Sequence, residues 1–270
     1  MLSNFHKKAS SNFCRFFKII SKACLIPHPA KAHFGGEDYY FISKNNTTIG
    51  VADGVGGWSD IPGSNSSKYS RDIMNFCNKY SDITNPLIIL QAAYNDLDFS
   101  VPGSTTALVA QICDNSKLHI CNVGDSALGI FRNGKLVFQT QDTVHGFNFP
   151  FQLGFRKIDK PSDGTYDIFP IQEGDIIISG TDGLWDNMWN TDIERAISET
   201  LNKTLTKSKI MQILADSLAK TSNKNGKDQS FNSPFADACS KKYGQKYLGG
   251  KLDDVTVIAS YVVDDNKVKE

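Results

Sequence analysis

Apolar residues in this chain fall into short runs bounded by Gly, Asn, Asp and Pro, with helical spacing in the stretches between them. The runs YYFIS at 39–43 and TIGVA at 48–52, with Asn45-Asn46 between them, predict a hairpin. Past a polar loop at 59–67, Tyr69, Ile73, Phe76, Cys77 and Tyr80 share one face of a predicted helix. A second helix is predicted from Asn85, a good N-cap, and Pro86, which suits the first helical position; Leu87, Leu90, Tyr94 and Leu97 form its apolar stripe. Strands follow at 104–113, 117–123, 126–132 and 135–139. Asn133-Gly134 joins the last two, because both residues accept the positive φ of a two-residue hairpin turn. Residues 140–170, irregular and rich in Phe, Pro and Gly, read as loop with short strands, and a strand is predicted at 175–179. Thr191-Asp192-Ile193-Glu194 reads as a capping box opening a helix with Ile193, Ala196, Ile197 and Leu201 inward, and Ile210, Leu214 and Leu218 mark the next helix. Residues 222–233 are polar and expected to be mobile. A helix near 234–243 ends at Gly244, and a strand at 255–263 precedes a charged tail at 265–270. Antiparallel strands interleaved with paired helices predict an α+β fold in which two sheets pack face to face with helices outside.

At 270 residues with 40% hydrophobic content, the chain can bury a sizeable core as one domain, placed at 34–264, and no internal repeat divides it. Lys+Arg and Asp+Glu stand at 29 each, so no global charge argues for nucleic acid or a membrane surface. The charge is uneven, however. Residues 1–36 hold Lys7, Lys8, Arg15, Lys18, Lys22 and Lys31 and no acid, so 23 basic residues face 29 acids in the rest. Phe13, Phe16, Phe17, Ile20 and Cys24 recur there at helical spacing, and an amphipathic, acid-free leader over 1–33 resembles an organelle transit peptide; a plain basic tail is the other reading. Arg15, Lys18 and Lys22 break this run, which excludes a membrane span. The six cysteines (Cys14, Cys24, Cys77, Cys113, Cys121, Cys239) show no paired spacing and read as free thiols in a reducing compartment, not as zinc ligands or disulfides.

Acids at predicted strand ends change the picture most. Asp53 closes the strand IGVA and is followed by Gly54, Gly56 and Gly57, so backbone free of side chains lies beside it. Glu37 and Asp38 open the strand YYFIS, Asp182 follows IIISGT, and Asp253 precedes VTVIASYV. One such acid is more often a turn or cap than a ligand. The hairpin, however, brings Glu37, Asp38 and Asp53 together, since antiparallel neighbours lie about 5 Å apart. Like charges about 4 Å apart cost several kcal/mol at a protein's effective dielectric, and divalent cations remove that penalty. Hard oxygen ligands without paired Cys or His point to magnesium or manganese.

These residues carry a family resemblance. In order, GGEDYYF, VADGVGGW, GSTTA, NVGDSA, SGTDGLWDN and DDVTVI resemble the motifs of the metal-dependent (type 2C) protein serine/threonine phosphatases, from about Glu37 to Val263. Val55 in place of the usual histidine, FNFPFQL at 147–153 and SPFADAC at 233–239 resemble the mitochondrial branch of that family. The resemblance implies a four-layer αββα sandwich, two mostly antiparallel sheets flanked by helix pairs, with a metal centre at one end. It implies hydrolysis of phosphoserine and phosphothreonine by direct attack of a hydroxide bridging two Mn or Mg ions. Carried over by position, Asp53 bridges both ions, Asp182 and Asp253 bind the first, Glu37 and the Gly54 carbonyl bind the second, and Asp125 helps to hold a third. Asp38 orients water, and Asp254, where the family has asparagine, is supporting.

Two departures bear on catalysis. His33 stands where many members carry an arginine that grips the substrate phosphate, so His33 and Arg156 are both candidates for that role. Val55 cannot donate a proton to the leaving oxygen; His145, just ahead of FNFPFQL, is the candidate general acid, with metal-bound water as the alternative. Trp58 and Trp185, which closely follow the acidic motifs, read as site-wall aromatics or, in preference, as core packing, and His119 is expected to be structural. The implied partner is a phosphoprotein substrate, with no nucleic acid and no integral membrane segment, and the implied location is the mitochondrial matrix, with the cytoplasm as alternative. A catalytically silent binding protein of the same fold and a hydrolase of small phosphate esters are the other readings; the intact acids argue against the first, and pocket depth decides the second.

Overall fold

The computed structural model describes residues 17–113 and 116–265. Its long strands are β1 (Phe17–Ile26), β2 (Tyr39–Ile42), β3 (Thr48–Ala52), β4 (Ala107–Cys113), β5 (Lys117–Val123), β6 (Ala127–Arg132), β7 (Lys135–Gln139), β8 (Thr165–Pro170), β9 (Ile176–Gly180) and β10 (Val255–Asp264). They form two antiparallel five-stranded sheets, ordered β8-β5-β4-β3-β2 and β1-β10-β9-β6-β7. Ile49, Val51, Leu108, Ile120, Ile130 and Ile258 are among the side chains that fill the space between the sheets. Alternation explains this: neighbouring residues of β4, such as Val109, face the opposite way, onto a helix layer.

The helices are α1 (Ser66–Lys79), α2 (Pro86–Asn95), a single turn α3 (Asp182–Trp185), α4 (Asn190–Leu201), α5 (Lys207–Lys227) and α6 (Pro234–Tyr243). α1 and α2 lay Tyr69, Ile73, Ile89 and Leu90 on the first sheet, while α4 and α5 lay Ile193, Ile197, Leu214 and Leu218 on the second. The result is the four-layer αββα sandwich. Asn85 caps α2 as its position predicts, accepting from Leu87 N and Ile88 N ahead of Pro86. Asn133 and Gly134 turn β6 into β7 with φ of 52° and 76°. No helix among the described residues is long and apolar enough to cross a membrane.

Four expectations are corrected. The amphipathic helix expected at the start is instead β1, paired along its length with β10 from Phe17 opposite Asp264 to Ile26 opposite Val255. Phe17 and Ile19 follow a two-residue period that competes with the helical stripe of Phe17, Ile20 and Cys24, and a short helix is marginal alone, whereas the edge of β10 offers a ten-residue ladder. The folded body therefore includes residues 17–33, ahead of the expected boundary at 34; Phe13, Cys14 and Phe16, like the tail beyond Asp265, lie outside the described residues. Thr191 does not cap α4, which starts after Trp189 without a side-chain cap; Glu194 is drawn away to accept from Lys135 Nζ (2.7 Å) and Leu136 N (3.0 Å). Residues 222–227 are the last turns of α5, held where the buried Ser222 hydroxyl donates to Gly183 O. Within 140–170, expected as loop with short strands, 165–170 forms the edge strand β8, in keeping with that reading.

Candidate functional site

Antiparallel pairing carries the acids to one end of the sandwich. Glu37 and Asp38 enter β2 beside the point where Asp53 leaves β3, since Tyr39 pairs with Ala52. In the other sheet, Gly180 at the end of β9 pairs with Val257 near the start of β10 and with Ala127 at the start of β6. Asp182, Asp253 and Asp125 flank those three ends. Gly54 N donates to Glu37 O at 3.1 Å, and a Cβ on Gly54 would lie 2.8 Å from that oxygen, so a glycine is needed for the two segments to close.

The electrostatics are those of too many buried carboxylates. Asp38 is buried, and its Oδ2 accepts from the hydroxyls of Thr181 and Thr256, each at 2.8 Å, which ties the first sheet to the second. Burial, then Asp254, pushes its carboxyl well above the usual range. Burial, with Asp182, Asp38 and Asp253 nearby, does the same to Asp53. Burial works against ionised Asp182 too, but Lys251 more than offsets it, and its pKa falls. Burial first, then Asp182, raises Asp253 to about 6 and Asp125 to about 8.

Two lysines that sequence reasoning did not single out supply positive charge. Lys31 Nζ lies 2.6 Å from Glu37 Oε2, 3.3 Å from Asp254 Oδ2 and 3.9 Å from Asp253 Oδ1. Lys251 Nζ pairs with Asp182 Oδ2 and with Asp186 Oδ2 at 2.8 Å. Asp254 also accepts from His28 N and Glu37 N, the supporting role expected of it. As the side chains stand, no three His, Cys, Asp or Glu close around one point among the described residues. The donor set nonetheless fits divalent cations: it is all oxygen, Asp38 Oδ1, Asp125 Oδ1 and Asp182 Oδ1 are buried without a hydrogen-bond partner among the described residues, and two ammonium groups already offset part of the excess charge.

A cleft of about 560 Å³ contains Asp53, Gly54, Asp125, Asp182 and Asp253 along one part of its wall and Trp58, Ile61, Phe149, Phe155 and Ile158 along another. Trp58 is thus a wall residue, the less favoured of its two expected roles, with Nε1 donating to Ser104 Oγ at 2.6 Å. Trp185 packs into the helix layer as expected. His145 also lines the cleft; its ring lies over Phe151, centroids 4.4 Å apart, and its Nε2 is 3.0 Å from both oxygens of the buried Asp159. Neither expected phosphate-binding residue lines it. His33 is exposed and edge-on to Phe34, and Arg156 is exposed over Phe155 in a turn with φ of 71°. Gly35 and Gly36, at φ of 95° and 89°, turn the chain so that Lys31 faces the acids in place of His33. His119 is structural, bonded through Nδ1 to Tyr166 Oη at 2.8 Å. The two stretches FNFPFQL and SPFADAC meet: Phe147 stacks on Phe235, with centroids 5.6 Å apart.

Comparison with known proteins agrees with this geometry. The chain is 37% identical over 254 residues to Probable protein phosphatase 2C 80 of Arabidopsis thaliana, covering 91% of this chain and 59% of that protein. It spans about half the length of several plant relatives. It is 36% identical over 257 residues to Protein phosphatase 2C homolog 7, mitochondrial, of Saccharomyces cerevisiae, covering 83% of this chain and 73% of that one. The solved structure of the photosystem II phosphatase PBCP superposes with a TM-score of 0.83 at 30% identity, over 91% of this chain and 99% of that one. No family model matches the chain.

Proposed function

The chain belongs to the protein phosphatase 2C family, and on that premise we propose that it hydrolyses phosphoserine and phosphothreonine in proteins, using divalent manganese or magnesium. The observation that carries this reading is the convergence of Asp53, Asp182 and Asp253 on one cleft. Asp53, Asp182, Asp253, Glu37 and the Gly54 carbonyl are the groups that would hold two ions, and Asp38 positions them by fixing Thr181 and Thr256. Ions bound there would activate water and offset charge developing at phosphorus. Lys31, which lines the cleft beside Glu37, would supply the phosphate-binding charge in place of His33 and Arg156. The apolar wall formed by Trp58, Ile61, Phe149, Phe155 and Ile158 offers contacts that a peptide can use and a small phosphate ester cannot, which favours protein substrates.

Turnover of a phosphothreonine peptide with added manganese or magnesium, against the same reaction in excess chelator, tests the reading. Activity only with the ion is expected; binding of the peptide without turnover under any divalent ion would instead support a silent binding protein. The location we propose is the mitochondrion, supported by the basic stretch before Phe17 and the yeast relative's name. Processing after about residue 30 would remove β1, so a cleavage point before Phe17 is the one compatible with the fold.

His145 is assigned the proton donor for the leaving oxygen. With Nε2 committed to Asp159, Nδ1 is the nitrogen that delivers the proton. The variant His145→Gln is expected to slow a phosphothreonine peptide by about a hundredfold while leaving an aryl phosphate, whose leaving group needs no proton, within about threefold of wild type. Equal effects on both substrates would assign the proton to water.

A further inference from the structure

Lys251 is built into the acid cluster from its backbone outward. The buried Asn187 clamps it on both sides, accepting from Lys251 N at 2.9 Å and donating to Lys251 O at 2.7 Å. Just before it, Gly250 packs so closely on α5 that a Cβ there would lie 2.0 Å from Asn225 O. The side chain then passes over Phe235, with Nζ 5.2 Å from the ring centroid, and ends on Asp182 Oδ2 and Asp186 Oδ2, with Asp253 Oδ2 at 3.9 Å. Cation–π and ion-pair contacts thus act on one ammonium group. Three carboxylates, those of Asp182, Asp186 and Asp253, converge on it.

Asp125 was expected to help hold a third ion. Asp182 and Asp186, two of the acids that act on Asp125, are the two that Lys251 engages. A divalent ion placed among these three would have to displace a clamped, desolvated ammonium group or sit against it, and like charges at that range repel by several kcal/mol. We propose that the Lys251 ammonium is the resident cation of the Asp182–Asp186 end of the cleft, standing where a third divalent ion would otherwise bind, so that the chain takes two ions. The ring of Phe235, itself stacked on Phe147, completes this arrangement, which links the cleft-lining segment around His145 to the acid cluster. The inference rests on the reading that Asp53, Asp182 and Asp253 hold divalent ions.

The test counts manganese bound per chain at saturation, by equilibrium dialysis and native mass spectrometry, without reference to activity. Wild type is expected to take two equivalents, Lys251→Arg two, and Lys251→Met three, since the last removes the positive charge and leaves Asp182 and Asp186 free. An equal, non-zero count in wild type and Lys251→Met, or three equivalents in wild type, would overturn the assignment while leaving the metal reading intact. Should Lys251→Met not fold, Asp186→Asn decides: two equivalents support the assignment, and loss of one makes Asp186 an ion ligand and overturns it. No manganese on the wild-type chain would remove both this inference and the metal reading beneath it.

Discussion

Asp53→Asn should lower turnover of a phosphothreonine peptide by at least about a hundredfold, on the scale of removing one preorganised electrostatic group from an active site, while the protein keeps its fold. Asparagine matches aspartate in shape but carries no charge, so it cannot bridge two ions as a carboxylate can. The stability prediction runs the other way. A carboxyl whose folded pKa lies above its unfolded value favours the protonated folded state, and its contribution turns unfavourable as pH rises past the unfolded value. Asp53 is such a group, raised by burial and by Asp182, Asp38 and Asp253. In chelator at neutral pH the variant is therefore expected to melt at or above the wild-type temperature, whereas in saturating manganese wild type should gain more than the variant. Wild-type turnover in Asp53→Asn would remove Asp53 from the metal centre; a lower melting temperature in chelator would show that its carboxylate is stabilising as it stands.

The largest effect on stability is expected at Gly183. A Cβ added there would lie 1.9 Å from the carbonyl oxygen of Asp254, which is buried backbone at the entry to β10 and cannot swing aside as a long side chain could. Gly183 O is also held by Asn187 Nδ2 at 3.0 Å and by the Ser222 hydroxyl, so the turn α3 has no free direction in which to relax. Gly183→Ala is expected to destabilise the chain by about 3 kcal/mol or more, at the upper end of the usual range for overpacking, and to weaken ion binding, because the displaced backbone carries Asp182 on one side and Asp253 on the other. Gly57→Ala is the control. Its Cβ would meet nothing closer than Val55 Cγ1 at 3.9 Å, so a change within about 0.5 kcal/mol is expected. Chemical denaturation of the two variants separates these outcomes, and equal midpoints would show that the Asp254 backbone yields.

Where local signals agreed with one another, the elements were legible before the fold was seen. Asn85-Pro86 and Asn133-Gly134 act through their own backbone preferences, and both stand in the structure as their chemistry predicts. The hairpin of β2 and β3 likewise brought Glu37, Asp38 and Asp53 to one place without long-range information. Thr191 failed as a cap because a partner distant in sequence competed for Glu194: Lys135 and Leu136, across the layer, gave it two hydrogen bonds. The segment from Phe17 to Ile26 failed for a related reason, since its pattern admitted both periods and only the exposed edge of β10 selected the strand.

By itself the sequence determined the order of elements from β2 onward, the sandwich they build, and the set of acids at strand ends, because each of these follows from periodicity, turn chemistry or motif order within a few residues. Only the tertiary structure decided which cations face those acids. Lys31 reaches Glu37 because two glycines turn the chain, and Lys251 reaches Asp182 and Asp186 across 69 and 65 residues because Asn187 fixes its backbone. Charge pairing of that kind depends on distance in space and on burial, and a lysine's place in the sequence carries neither.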